Sequence, residues 1–208
     1  MLNPEIALSF FGIAVLLALA PGPDNLFVLM QSALWGRRAG LFVTLGLCTG
    51  LIGHTLAVTI GLAALVAASA TAFTVLKLIG AGYLVYLAWA AFRAKANVTG
   101  MKAEPRQGKG QLYRRGIVMN LTNPKVSLFF LAFLPQFTSP TRGSVALQTL
   151  ALGGLFMLAT LMVFGAIAYF SGMVGKRLQG SATAQRALNV GAGVVFIGLA
   201  VRLVFSQR

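Results

Sequence analysis

The chain of 208 residues has a formal net charge of +14, yet only 10% of its residues are charged and 58% are hydrophobic. Soluble domains average about 25% charged residues, so this composition excludes a soluble globule and predicts an integral membrane protein. Surplus Lys and Arg in membrane proteins mark cytoplasmic loops, so the positive charge does not indicate nucleic-acid binding. The single cysteine, Cys48, excludes an internal disulfide or thiol pair.

Six membrane-spanning helices are predicted, because a crossing needs about 20 apolar residues. In chain order they lie at about 5–30, 40–66, 72–92, 116–137, 146–172 and 187–205. The segment between Arg38 and Lys77 has 38 uncharged residues, too many for one crossing, and "AASATAF" (67–73) supplies a turn that divides it. A basic hydrophilic connection at 93–115 separates spans three and four, and no second domain is expected.

The basic residues also predict the orientation. Twelve Lys and Arg residues follow the first, third and fifth spans, whereas Arg142 and Arg208 lie on the other side and Arg202 near the end of span six. By the positive-inside rule, the three connections rich in basic residues are cytoplasmic and both termini face the periplasm.

The two halves of the chain resemble each other. "IGAGYLVYLAWAAF" (79–92) is similar to "VGAGVVFIGLAVRL" (190–203), and spans one and four both contain prolines. We therefore predict a single transporter domain with repeats at about 1–92 and 116–208. Three spans per copy make the second copy inverted, and inverted repeats with interrupted helices are typical of transporters. A chance recurrence of Gly-Ala-Gly is the alternative.

The first span is interrupted at "ALAPGPDNLFVLM" (18–30), which contains Pro21, Gly22 and Pro23. Proline lacks a backbone donor, and unpaired backbone groups are not tolerated in contact with lipid. The break must therefore lie within protein or line a watery cavity. Asp24, with Asn25 after it, either caps the resumed helix or marks an ion or substrate pathway, and both roles are compatible.

Span four has a second proline interruption, in "NLTNPKVSLFFLAFLPQF" (120–137). Asn120 and Asn123 precede Pro124, and Lys125 follows it. If the two breaks meet, the site holds a carboxylate and an ammonium group. Such a pair complements an α-amino acid, with Asp24 facing its ammonium group and Lys125 its carboxylate. Alternatively, Lys125 extends to the membrane surface.

Four further residues are candidates outside the two breaks. His54, the only histidine, either carries protons or hydrogen-bonds a neighbouring helix, and a lone histidine does not indicate a metal site. Lys77, Tyr83 and Tyr86 are candidate cavity residues in span three, although Lys77 lies close enough to the span's start to extend outward. Small residues at helical spacing predict a close-packing face on span two. They are Gly46, Gly50, Gly53, Ala57 and Gly61.

At these motifs the whole chain resembles the LysE/RhtB family of bacterial amino-acid exporters, more closely its homoserine/threonine/leucine branch. The resemblance rests on "APGPDN", "GLCTGLIGHTLAVTIGLAAL", "LKLIGAGYLVYLAW" and "NLTNPKVSLFFLAFLPQF" in this order. It implies a six-span inner-membrane carrier that expels amino acids in exchange for protons. It also places a set of residues on the family's motifs: Pro21, Gly22, Pro23, Asn120, Asn123, Pro124 and Lys125.

The leading hypothesis is therefore a proton-coupled efflux carrier for a neutral amino acid, working by alternating access in the bacterial inner membrane. Its partners would be the substrate, protons and lipid, with no cofactor and no metal, and a homodimer is left open. An exporter of metal or other inorganic ions, a channel, and an intramembrane hydrolase are the alternatives. The ion exporter would need more ligands than Asp24 and His54, and the hydrolase would need a nucleophile beside a base.

Overall fold

The computed structural model describes residues 2–68, 70–94, 106–180 and 182–205. Eight α-helices are found within these residues: α1 (Pro4–Leu19), α2 (Pro23–Trp35), α3 (Arg37–Ala68), α4 (Ala70–Arg93), α5 (Lys109–Leu121), α6 (Pro124–Leu128), α7 (Val145–Gly180) and α8 (Ala182–Phe205). A π-helical turn (Phe129–Phe133) and a 3-10 turn (Leu134–Phe137) continue α6, and another short 3-10 turn (Pro140–Arg142) precedes α7.

The described helices form four candidate membrane spans, or six if each of two bent helix pairs is one span. Among the described residues, α3, α4, α7 and α8 are each long and apolar enough to cross a membrane. The two bent pairs are α1 with α2, bent by 63°, and α5 with α6 and its continuation, bent by 48°. The predicted fold is confirmed in its class and in its two breaks, which fall at the proline motifs of spans one and four.

Several helix ends differ from the predicted spans. The turn expected at 67–73 falls where α3 ends and α4 begins. Helix α5 begins at Lys109, so residues 109–115 are helical and the predicted connection at 93–115 is shorter, with 95–105 outside the described residues. Helix α2 continues to Trp35, five residues beyond the predicted end of span one. The proline break therefore leaves a full second helix rather than a short remnant.

Corresponding helices of the two halves pack against each other. Helix α3 lies against α7, which are spans two and five, and α4 lies against α8, which are spans three and six. Helix α3 also packs on α5, as α7 packs on α1. These are the pairings that a two-fold relation between inverted halves predicts.

An aromatic core lies between α1, α7 and the segment that continues α6. Phe10 of α1 lies 5.1 Å from Phe137 and 5.8 Å from Phe129, measured between ring centroids. Phe156 of α7 lies 5.2 Å from Phe129. All four rings are buried in one cluster, which fixes α1 against the continuation of α6 and so fixes the position of the two breaks.

Helices α3 and α5 approach each other at glycines. A Cβ atom on Gly46 would collide with the carbonyl oxygen of Tyr113, and one on Gly116 with that of Val43. A Cβ on Gly50 would lie 2.7 Å from side-chain atoms of Asn120, whereas Gly61 faces open space. The predicted close-packing face is thus confirmed at Gly46, Gly50 and Gly53, where it holds the end of α5 tightly on α3, but it does not extend to Gly61.

Candidate functional site

The first break is built by two prolines around a glycine. Helix α1 ends at Leu19, and Ala20 adopts φ −58° and ψ 122°, the extended conformation that a following proline imposes. Gly22 is fully extended at φ −162° and ψ 175°. Pro23 begins α2, where its missing N–H removes no helical hydrogen bond. The last carbonyls of α1 and the first amides of α2 therefore lack helical hydrogen-bond partners in the middle of the first span.

The second break uses an asparagine in place of the glycine. Helix α5 ends at Leu121, and Asn123 is the N-cap of α6, where its Oδ1 accepts a hydrogen bond of 3.0 Å from the backbone N–H of Lys125. Pro124 occupies the first turn. Asp24 of α2 and Lys125 of α6 therefore both stand directly after a proline that begins a helix.

The two breaks meet inside the protein. The Asn123 Nδ2 group donates a hydrogen bond of 2.8 Å to Oδ2 of Asp24. Asp24 is only 3% exposed and Asn123 only 4%. Asp24 thus uses its carboxylate to join the two halves of the chain, and it remains well placed beside the positive end of the α2 dipole.

Lys125 points toward the end of α1. Its Nζ donates to the carbonyl oxygens of Leu17 at 3.3 Å and Ala20 at 3.1 Å. These carbonyls belong to the negative end of the helix dipole, which favours a nearby cation. The side chain is only 8% exposed, so in this structure Lys125 lies inside the protein and does not extend to the membrane surface.

Unpaired acceptor oxygens surround the junction. Asn25 donates through Nδ2 to the carbonyl of Ala18 at 2.6 Å, leaving its Oδ1 without a partner among the described residues. Oδ1 of Asp24 and Oδ1 of Asn120 are likewise buried without a described partner. Buried polar atoms are normally satisfied, so these oxygens indicate a site for a hydrogen-bond donor such as an ammonium group or water.

His54 is brought next to the second break. Its Nε2–H donates to the backbone carbonyl of Asn120 at 3.2 Å, and its ring centroid lies 5.6 Å from that of Phe130. The histidine therefore connects α3 to the end of α5 and to the segment that follows Pro124.

Lys77, Tyr83 and Tyr86 are not brought into this cluster. Lys77 Nζ donates to the carbonyl of Val204 on α8 at 3.2 Å. Tyr86 is 54% exposed, and its ring lies between those of Tyr83 and Trp89 along α4. These three candidates lie along the contact between α4 and α8 and on the exposed face of α4.

Gln31 is a buried polar residue that the sequence interpretation missed. It is 0% exposed, and neither amide atom has a partner among the described residues. It lies seven residues after Asp24, so both are on one face of α2. That spacing was a usable signal, but the predicted span ended at residue 30.

A basin rich in arginine opens beside α2. It has a volume of about 580 Å³ and is lined by Arg106, Gln107, Gln111, Arg114 and Arg115. The Arg115 guanidinium stacks 4.4 Å above the ring of Phe27, which is one turn from Asp24. Lys109 lies 5.6 Å from the ring of Phe42 on α3. We call this region, defined by the basin residues and Lys109, the basic end of the bundle.

Two facing helix breaks, with a buried carboxylate and a buried ammonium group at their junction, are typical of membrane transport proteins. Residues 15–207 match the family described as LysE type translocators. The chain belongs to this family and is a multi-pass membrane protein.

Three relatives illustrate the range of similarity. The homoserine/homoserine lactone efflux protein of Salmonella typhimurium is 33% identical over 94% of this chain and 93% of its own length. A membrane protein of Vibrio cholerae is 39% identical over 66% of this chain and 67% of its own. The membrane protein YrhP of Bacillus subtilis is 27% identical over 96% and 98%. No solved structure matches this chain.

Proposed function

We propose that this protein exports a neutral amino acid, or a close derivative, across the bacterial cytoplasmic membrane in exchange for protons. The observation that carries the proposal is the buried hydrogen bond between Asp24 and Asn123, which joins the two helix breaks beside Lys125. The name of the Salmonella relative, an efflux protein for homoserine and homoserine lactone, supports the substrate class.

The charges at the junction match a zwitterion. Oδ1 of Asp24 and Oδ1 of Asn25 are unpaired acceptors, and we assign them to the substrate ammonium group. We assign the substrate carboxylate to Lys125 and the Asn123 amide, which exchange their present partners for it. One carboxylate and one ammonium group leave no surplus negative charge for a second cationic group on the substrate, so a neutral side chain fits better than a basic one.

The same contacts couple proton binding to substrate release. The Asp24–Asn123 bond holds the breaks together in this structure, and the substrate would replace it as the repeats, at about 1–92 and 116–208, change their relative positions. A proton on Asp24 removes the charge that holds the ammonium group. Proton binding from one side therefore favours substrate release to that side, which is antiport.

The orientation follows the positive-inside rule. In this proposal the basic end of the bundle is cytoplasmic and both termini are periplasmic. Substrate would reach the junction from the arginine-lined basin and leave on the side where α1 begins.

The experiment uses purified protein in liposomes loaded with labelled homoserine, homoserine lactone, threonine, leucine and lysine. An inward proton gradient is imposed, and release is followed together with internal pH. We expect release of neutral amino acids with proton movement in the opposite direction, and little release of lysine. The lactone retains the ammonium group but has no carboxylate, so its rate relative to homoserine reports the contribution of Lys125.

The alternatives give different results in the same assay. Release that does not depend on the proton gradient, without exchange, would indicate a channel. No release of any amino acid would contradict the proposed substrate class and direct the search to inorganic ions.

A further inference from the structure

Helix α2 carries a row of buried polar atoms that leads away from the junction. Besides Oδ1 of Asp24 and Oδ1 of Asn25, both amide atoms of Gln31 and Nε1 of Trp35 lack partners among the described residues. Gln31 follows Asp24 by seven positions, which is two helical turns or about 10 Å along the axis. The row runs toward Trp35, where α2 ends next to the first residues of α3.

Buried apolar residues precede Gln31 on α2. Phe27 and Val28, one turn earlier on α2, are buried in a cluster with Val43 of α3 and Phe164 of α7. Ser32, the next residue, satisfies its hydroxyl within α2 through the carbonyl of Val28 at 2.6 Å. The Gln31 amide makes no such hydrogen bond within α2, although the residue is 0% exposed.

An unpaired buried amide is unfavourable. Leaving a buried donor or acceptor unsatisfied costs more than an ordinary hydrogen bond contributes, and a methionine of the same length would fill the space without that cost. The contacts in this structure therefore give no reason for glutamine here. A partner that reaches Gln31 when α2 moves away from α3 and α7, on which it packs in this structure, would give one.

We propose that Gln31 contacts the transported solute between the basic end and Asp24, as a second polar station on the pathway. This inference rests on the proposed function. An uncharged amide both donates and accepts, so it suits the polar groups of a small zwitterion and offers nothing to an apolar solute. Phe27, covered by Arg115, lies on the same side of α2 one turn before Gln31, which places the station behind the arginine-lined basin.

The test compares Gln31→Met with Gln148→Met. Gln148 is also buried, at 3% exposure, but its amide makes three hydrogen bonds, with Ser139 N–H at 3.1 Å and with the carbonyls of Ser139 at 2.9 Å and Gly143 at 3.1 Å. Both variants exchange a buried amide for a thioether, so they differ in whether partners are lost.

Transport is measured as uptake of labelled homoserine into everted membrane vesicles, which present the basic end to the medium in the proposed orientation. Gln31→Met should raise the half-saturating homoserine concentration about fivefold, the loss of one neutral hydrogen bond. Its melting temperature in detergent should equal or exceed that of the wild type. Gln148→Met should melt at a lower temperature and keep the wild-type half-saturating concentration.

The outcomes separate this inference from the proposed function. If the wild type moves homoserine and Gln31→Met does so with unchanged half-saturation, the station is refuted and the carrier stands. If the wild type moves no amino acid, both the proposed function and the proposed contact of Gln31 with the solute are refuted. A lower melting temperature for Gln31→Met would show a structural role for the amide and contradict the inference whatever the transport result.

Discussion

Asp24 and Lys125 occupy equivalent positions in two different helices, each directly after a proline in the first turn, and they carry opposite charges. The Asn123 side chain connects them, because its amide group donates to the Asp24 carboxylate and its carbonyl oxygen accepts from the Lys125 backbone. The junction of the two halves is therefore electrically balanced and linked through one side chain.

Asp24→Asn should abolish transport driven by a proton gradient, because the variant lacks the carboxylate that we assign to proton coupling. The fold should persist, since an amide can still hydrogen-bond Asn123. The measurement is gradient-driven homoserine release from liposomes, with size-exclusion behaviour as the check on folding.

Glu5→Gln is the matched control, since Glu5 is an exposed carboxylate in the first turn of α1. It should retain gradient-driven release. Full proton-driven activity in Asp24→Asn would exclude Asp24 as the coupling group.

Lys125→Met should destabilise the protein by about 1–3 kcal/mol, because the carbonyls of Leu17 and Ala20 lose their buried partner. Asp24 would also lose its nearby opposite charge. Melting in detergent measures the effect. Lys77→Met removes a lysine bonded to the Val204 carbonyl at an exposed site, and it should change the melting temperature much less. Equal melting of the two variants would mean that Lys125 does not stabilise the end of α1.

The sequence predicted the two breaks and the residues flanking them, because proline and a buried charge have strong local consequences in a membrane, whereas the meeting of the breaks was only a condition of the proposed site. It did not predict that Lys125 would bond the end of α1, since that contact depends on how two helices from opposite halves cross. It also left the role of Asp24 open between a helix cap and a pathway residue, and the structure shows Gly22 in the N-cap position.

The end of α2 and the exposure of the aromatic residues in span three also could not be predicted from sequence. Periodicity and length could not show that α2 continues to Trp35, so Gln31 fell outside the predicted span. The aromatic residues of span three were ambiguous because a lipid-facing ring and a cavity-lining ring have the same pattern in sequence. Tyr86 proves to be exposed.

Gly116→Ala should destabilise the protein by about 1–3 kcal/mol through overpacking, because the new methyl group would collide with the carbonyl of Val43 on α3. Gly61→Ala places the same methyl group in open space and should melt like the wild type or slightly higher. Thermal unfolding in detergent compares the two. If Gly116→Ala melts like Gly61→Ala, the close contact of α3 with α5 is not required.

His54→Gln should retain proton-driven transport, because glutamine can also donate to the Asn120 carbonyl, the contact that His54 makes at 3.2 Å. His54→Phe lacks a donor and should slow transport. The comparison of both variants in the liposome assay distinguishes positioning from proton transfer. Loss of proton coupling in His54→Gln, with homoserine exchange preserved, would make His54 a proton carrier.

Labelling with a membrane-impermeant maleimide tests the proposed orientation. In a Cys48→Ser background, Glu5→Cys should react in intact cells, because Glu5 is exposed near the terminus that we propose to be periplasmic. Gln111→Cys, which lines the arginine-rich basin, should react only in everted vesicles. The reverse pattern would place the basic end outside the cell.

The balance of charge at the junction also bears on how such a protein can be encoded. A pair of identical subunits, each supplying one broken span, would place the same residue at both equivalent positions. Two carboxylates or two ammonium groups would then share a buried site, at a high electrostatic cost. Here, Asp24 in one half is opposed by Lys125 in the other, so this centre requires two halves with different sequences. Joining them in one polypeptide guarantees that every molecule receives one of each.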